Sequence, residues 1–292
     1  MTTRVVLDTD IGTDVDDTWA LAQALRTPAL DLRLVTTVAG NTAYRARAAA
    51  ALLAAAGRSD IPVATGIGGA GRPDEPQPSL AAASPTDEFA DGVDALVAAC
   101  AEPVTIVAIG PLTNVAAALA RDPAIADRAR LVAMAGSVHL GHRGGPGPVA
   151  EYNAATDVVA TRAVLRAPWD VLLTPLDTCG TVFLDGDRYQ RVCASRHDPL
   201  IDALLASYRE WLDHVGRPDL FDRRSTTLYD CVAVHLAHDE SLWEIEDVPL
   251  AIGDDGVMRI DDGEPAVRVA LRWRDRDAFL DQLAVTLAGT AG

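Results

Sequence analysis

Residues 7 to 18 read LDTDIGTDVDDT, which places Asp8, Asp10, Asp14, Asp16 and Asp17 within ten positions, directly after the apolar run Val5-Val6-Leu7. Aspartate is a good N-cap, and acids in a first helical turn complement the macrodipole. Those effects account for one or two of the five, and not for Asp8 and Asp10, which fall at a strand end. Two carboxylates about 6 Å apart repel by about 3 kcal/mol at an effective dielectric of about 20. Five together require a counter-charge or protonation. A hard cation held by oxygen ligands supplies the first, and carboxylates favour Ca²⁺ or Mg²⁺ over thiolate-seeking metals.

Two common acidic motifs do not fit. An EF-hand loop counted from Asp8 needs Gly sixth and Glu twelfth, whereas Gly12 is fifth and Trp19 is twelfth. A phosphatase of the haloacid dehalogenase kind also opens with strand-DxD, but it expects Thr or Val where Gly12 stands and a lysine later. All 25 basic residues of this chain are arginine.

The stretch resembles the N-terminal signature of the inosine-uridine preferring nucleoside hydrolases, DxDxGxDDxxA, with two residues inserted so that Asp16-Asp17 matches the family's Asp-Asp pair through Ala20. Four further motifs follow in the family's order: TTVAGN (36–41), VAIGPLTN (107–114), VAEYN (149–153) and YDCVAV (229–234). Alone, each reads as a turn, a cap or a surface acid. In series, from residue 5 to about 237, they are specific to this family.

The resemblance implies Ca²⁺-dependent hydrolysis of the N-glycosidic bond of a ribonucleoside, giving ribose and free nucleobase. It implies metal ligands at Asp10, Asp17, the backbone carbonyl of Ile109 and Asp230, with Asp10 also the base that takes a proton from water. Asp16 would accept hydrogen bonds from the ribose diol, and Asn41, Glu151 and Asn153 would hold the remaining hydroxyls. Cleavage passes through an oxocarbenium-like sugar, so both charge stabilisation and departure of the base must be provided. Asp8 reads as a buttress behind the metal ligands. Asp14 is an extra acid with no family counterpart. Family members are commonly homodimers or homotetramers, which implies a homo-oligomer here.

The chain departs from the family on the leaving-group side. Tyr229 stands where many members place His, and a phenol is a weaker acid at neutral pH than an imidazolium. Tyr208, Trp211, His214 and Phe221 could close over the base, while Tyr208 and Trp211 read equally as core packing. Gly145 stands where the family usually has Asn; His139, His142 or Arg143 could replace that contact and suit a modified or extended sugar. Two rivals therefore stay open: a non-catalytic nucleoside- or ribose-binding protein, and a hydrolase of another ribosyl compound.

The elements that must position these residues alternate β-branched runs with Ala/Leu-rich stretches, the pattern of βαβ units. Strands are expected at 5–7, 32–38, 104–109, 131–134 and 171–174, and helices at 16–26, 44–56, 92–100, 114–120 and 157–165. VPLAIG, VMRI and VRVALRW after Asp247 read as an edge hairpin, followed by a helix near 277–288. The expected fold is a single open, doubly wound, mainly parallel α/β sheet, Rossmann-like by resemblance, with C-terminal edge strands in one domain spanning 1–292. Two Gly/Pro-rich segments, 66–88 and 141–148, are candidate lids or rims, because ligands bind outside the carboxyl ends of such strands.

Composition narrows the partners. A net charge of −17 and a pI near 4.6 argue against nucleic acid, which demands a basic face. Cys100, Cys179, Cys193 and Cys231 form no CxxC pair, so neither a zinc site nor a disulfide framework is indicated. With no signal-peptide pattern and no run of 18 apolar residues, a cytoplasmic protein without a membrane partner is expected.

Overall fold

A computed structural model describes residues 2–289. Its centre is a ten-stranded sheet. The strands are β1 (Thr3–Thr9), β2 (Leu30–Thr37), β3 (Val63–Thr65), β4 (Ala90–Asp91), β5 (Val104–Ala108), β6 (Ala129–Met134), β7 (Val171–Thr174), β8 (Trp243–Ile252), β9 (Met258–Ile260) and β10 (Ala266–Trp273). Their spatial order is 4-3-2-1-5-6-7-10-8-9. Neighbours from β4 through β7 pair in parallel, and β10 adds in parallel to β7. β8 returns antiparallel on β10, and β9 antiparallel on β8. The chain thus forms an open, mainly parallel α/β sheet with its C-terminal strands at one edge, as the sequence pattern requires.

Side-chain alternation explains why β1 is apolar throughout. Val5 and Leu7 enter one hydrophobic cluster with Trp19 and Leu21 of the helix Asp16–Arg26, while Val6 enters the cluster on the opposite face with Ile106 and Val115. A parallel strand covered by helices on both faces cannot afford a polar side. The same alternation continues into the acidic stretch. It sends Asp8 to the face of Val6 and Thr9 to the face of the helix Asp16–Arg26.

Observed elements differ from the expected ones mostly by one or two residues at their ends. β3 and β4 are new: three- and two-residue edge strands are too short to carry a periodic signal. β8 begins at Trp243, ahead of Asp247, and the segment 66–88 contains a short helix, Pro78–Ala82. No helix among the described residues is long and apolar enough to cross a membrane.

β1 has β2 on one side and β5 on the other, so the winding of the sheet reverses between β1 and β5. A crevice opens outside the carboxyl ends of strands at such a point. Asp10 and Ile109 each lie just beyond one of those ends, and Ile109 N–H donates to the Asp8 carbonyl at 2.8 Å.

Candidate active site

The crevice holds a cavity of about 200 Å³. Asp10, Asp14, Asp16, Asp17, Ile109, Glu151, Asn153, Tyr229 and Asp230 line it, together with Thr13, Arg72, Met134, His142, Tyr152 and Leu176. The nine residues named first, all singled out from the sequence and drawn from four separate segments, therefore meet in one place.

Two helix N-termini point acids into this cavity. Asp16 and Asp17 occupy the first turn of the helix Asp16–Arg26, and Asp230 the first turn of the helix Tyr229–Leu236, where the positive ends of the macrodipoles favour them. Carboxylate oxygens of Asp16, Asp17 and Asp230 all lie within 4.8 Å of one another, and all three residues are buried. Thr9 Oγ1 donates to Asp17 Oδ1 at 2.5 Å, and Tyr229 N–H donates to Asp16 Oδ2 at 3.1 Å. These bonds do not balance the charge. Burial first, and then the neighbouring carboxylates, push Asp16, Asp17 and Asp230 well above the usual carboxylate range.

Asp10 has a partial counter-ion. Burial raises it to about 6, against the pull of Arg45, whose Nη2 lies 3.9 Å from Asp10 Oδ2. Arg45 is 1% exposed and donates through Nε to the Ala39 carbonyl and through Nη1 to the Ile11 carbonyl. This arginine lies outside the sequence motifs. Its signal is that Arg45 shares a helical stripe with Ala48, Ala49 and Leu52, all buried, so a charge sits on an apolar face.

Asp8 stands behind the pocket and does not line it. Thr36 Oγ1 and Asn114 Nδ2 donate to its Oδ1 at 2.5 and 2.8 Å, its Oδ2 has no partner, and burial raises it to about 7. Gly12, between Asp10 and Asp16, has φ +107°, and a Cβ there would fall 2.7 Å from Tyr44 Cε1. The tyrosine fills that space because its hydroxyl bonds the Gly12 carbonyl at 3.2 Å while accepting from Gln77 N–H at 3.0 Å.

The far wall is set by Glu151 and Asn153. Glu151 caps the helix Tyr152–Thr156, accepting from the N–H groups of Gly136, Asn153 and Ala154. Asn153 Nδ2 donates to the Ile109 and Met134 carbonyls, each at 3.0 Å. The amide nitrogen is thereby committed, and the amide oxygen is left as an acceptor.

Three expected contacts are not brought to the cavity wall. Asn41 caps the helix Thr42–Ala55 and donates to Glu75 Oε1 at 2.6 Å, because its side chain is drawn to the nearest orphan N–H and to the long loop. Trp211 sits behind the wall, its Nε1 donating to the Thr13 carbonyl at 3.1 Å. His214 is at the solvent end of the helix Pro199–His214, 3.7 Å from Asp74. Tyr208 is fully buried between Trp19, Trp211 and Phe221, which is core packing.

Both Gly/Pro-rich segments reach the site as rims. The first supplies Arg72, tied through its N–H to Tyr152 Oη and through its guanidinium to Asp14 and Asp74. It also inserts Gln77, fully buried, which accepts from Thr18 and Ser207 hydroxyls and donates to the Asp14 carbonyl. The second supplies His142, with Arg143 at φ +57° beside it.

The donor set suits a hard divalent cation. It consists of carboxylate oxygens crowded enough that ionising each opposes the others, and that repulsion is what a cation relieves. The buried trio comprises Asp16, Asp17 and Asp230, with Asp10 in the same cavity.

Comparison with known proteins gives a consistent likeness. The profile of the family described as inosine-uridine preferring nucleoside hydrolase matches residues 5–281. The non-specific ribonucleoside hydrolase RihC of Salmonella typhi is 34% identical over 258 residues, spanning 76% of this chain and 81% of that protein. The same enzyme of Salmonella paratyphi A is also 34% identical, over 76% of this chain and 82% of its own. Among solved structures, a plant nucleoside hydrolase, PpNRh1, superposes with a TM-score of 0.84 at 24% identity, covering 99% of both chains. A purine-preferring ribonucleoside hydrolase from Gardnerella vaginalis gives 0.79 at 22% identity, covering 98% of both. At these identities the structural likenesses speak to the fold.

Proposed function

Because the chain belongs to the inosine-uridine preferring nucleoside hydrolase family, and is on that ground a ribonucleoside hydrolase, we propose that the carboxylate cavity is its active site and that Ca²⁺ serves it. The reaction is hydrolysis of the N-glycosidic bond of a ribonucleoside to ribose and free nucleobase. The observation that carries this reading is the convergence of Asp10, Asp16, Asp17 and Asp230, from two helix N-termini and one strand end, at the reversal point of the sheet.

Asp10, Asp17, Asp230 and the Ile109 carbonyl are the residues that would hold the cation, with Asp16 close enough to join them or to face the ribose diol. Bound there, the cation would supply Lewis acidity and a fixed positive charge beside the sugar. Asp10 takes the proton of the attacking water, a role supported by its place at the strand end and by Arg45 holding it nearer to its ionised form. Asn153 offers its amide oxygen to a ribose hydroxyl, and Glu151 keeps that asparagine in place through the cap it makes. The ring of positive charge that develops on the sugar faces carboxylates on several sides, which lowers the barrier electrostatically.

The test is direct. A mixture of ribonucleosides is incubated with the protein and assayed for reducing sugar and released base. Turnover that survives Asp10→Ala, or that is indifferent to chelator and to added Ca²⁺, contradicts the assignment.

A further inference from the structure

Departure of a nucleobase is eased by a proton, and the three residues expected on the leaving-group side, Tyr229, Trp211 and His214, are placed very differently by the structure. Of the chain's six histidines, His142 lines the cavity and His139, His197, His214, His235 and His238 do not. His214 is engaged with Asp74 at the protein surface, and the Trp211 indole is spent on the Thr13 carbonyl. Tyr229 does line the cavity, but a phenol is a weaker acid at neutral pH than an imidazolium.

His142 is held over the site by a loop that closes on itself. Asp177 accepts from the N–H groups of Val138, His139 and Leu140 at 2.8 to 3.2 Å. Ser137 Oγ donates to the Leu140 carbonyl and accepts from Val149 N–H, clamping both ends of the loop. Across its tip, Gly141, Gly145 and Gly147 donate to the carbonyls of Gly145, His142 and His139. The imidazole so presented meets the Tyr229 ring edge-on, with centroids 6.2 Å apart and planes at 87°. Tyr229 in turn bonds Asp16 through its N–H, so the residue whose ring meets His142 is itself tied to the carboxylates.

We propose that His142 is the acid that protonates the departing nucleobase, with Tyr229 as the ring that positions it. The proposal rests on the ribonucleoside hydrolase reading. As the bond from C1′ to the base breaks, its electron pair goes to the base and the imidazolium proton is transferred to a ring nitrogen. Water forms the new bond to C1′ and yields its proton to Asp10. Return of one proton from Asp10 to solvent and of one from solvent to His142 restores the enzyme, for a net reaction of nucleoside plus water giving ribose plus base.

The experiment compares leaving groups. Wild type, His142→Ala, His142→Gln and Tyr229→Phe are assayed on inosine, on uridine and on p-nitrophenyl β-D-ribofuranoside, whose phenolate leaves without an acid. Loss of a general acid is expected to lower kcat/KM for the better nucleoside by about 10²-fold or more in both His142 variants. The nitrophenyl riboside should stay within about threefold of wild type, which also shows that the variants fold and bind sugar. Tyr229→Phe keeps the ring and should not change the ratio between the two substrate kinds. Equal loss on both kinds, no loss on either, or a selective nucleoside loss in Tyr229→Phe overturns the proposal. A wild type that cleaves none of the three compounds instead refutes the hydrolase reading beneath it.

Discussion

Asn114 Nδ2 donates at 2.8 Å to Asp8 Oδ1, linking the helix after β5 to the end of β1 beneath the candidate site. The same nitrogen donates to the Thr37 carbonyl, and Asn114 Oδ1 accepts from Ile67 N–H, so one buried carboxamide joins β1, β2 and the start of the long rim segment. Asn114→Ala leaves these groups without partners, and each buried unsatisfied group costs about 1–3 kcal/mol. The variant is expected to lose about 3 kcal/mol, seen as a fall of roughly 5–10 °C in Tm by thermal unfolding. An unchanged Tm would show that water takes over the bonds.

Arg45 is the buried cation on which the acidic stretch depends. Removing one partner of a buried charge pair costs about 3–5 kcal/mol, because the other charge stays desolvated and alone. Arg45→Met is therefore expected to destabilise by that amount in urea unfolding and to lower turnover through Asp10. Arg45→Lys should recover only part of the loss, since an ammonium cannot reach the Ala39 and Ile11 carbonyls with the same fork. Stability of Arg45→Met equal to wild type would mean that Asp10 is neutral in the folded protein.

The strands and helices that carry the acids were legible because each is long enough to repeat its period several times. β3 and β4 were not, since three and two residues at a sheet edge give no alternation to read. Within the site, the acids announce themselves by local density, as in LDTDIGTDVDDT. Arg45, Arg72, Gln77 and Asp177 act from distant segments, and each looks like an ordinary polar residue until the sheet brings it in. Asn41 shows the converse: a motif position can satisfy a nearby helix end and so leave the cavity wall.

The carboxylate trio predicts an unusual pairing of stability and activity. Asp230→Asn keeps the shape of the side chain and removes one of three mutually repelling charges. In chelator, the variant is expected to melt at or above the wild type, while losing hydrolase activity. Added Ca²⁺ should raise the Tm of the wild type, by the equivalent of about 2.7 kcal/mol at a hundredfold excess over Kd, and leave the variant nearly unmoved. Scanning calorimetry with and without Ca²⁺ separates these outcomes, and a variant that melts below wild type in chelator would argue that Asp230 is neutral or structurally needed.

His235, on the helix that begins with Tyr229 and Asp230, sets a pH dependence remote from the site. It is 4% exposed, packed between Trp243, Phe279 and His238, and its Nε2 has no hydrogen-bond partner. Burial, aided by the charge of His238 and opposed by Asp239 at 3.7 Å, lowers its pKa to about 4. The unfolded chain, at about 6.5, binds the proton first, so it takes up more protons than the folded chain between those values. Stability from this group is therefore complete above about pH 6.5, falls as the pH drops towards 4, and levels below it, for a total on the order of 3 kcal/mol. His235→Phe replaces the imidazole with a ring that does not titrate. Between pH 7.5 and 5.0, urea unfolding should show the wild type losing about 2 kcal/mol more than the variant. Parallel pH profiles for the two proteins would mean that His235 is solvated or protonated in the native state, and that the aromatic cluster around it opens more readily than its packing indicates.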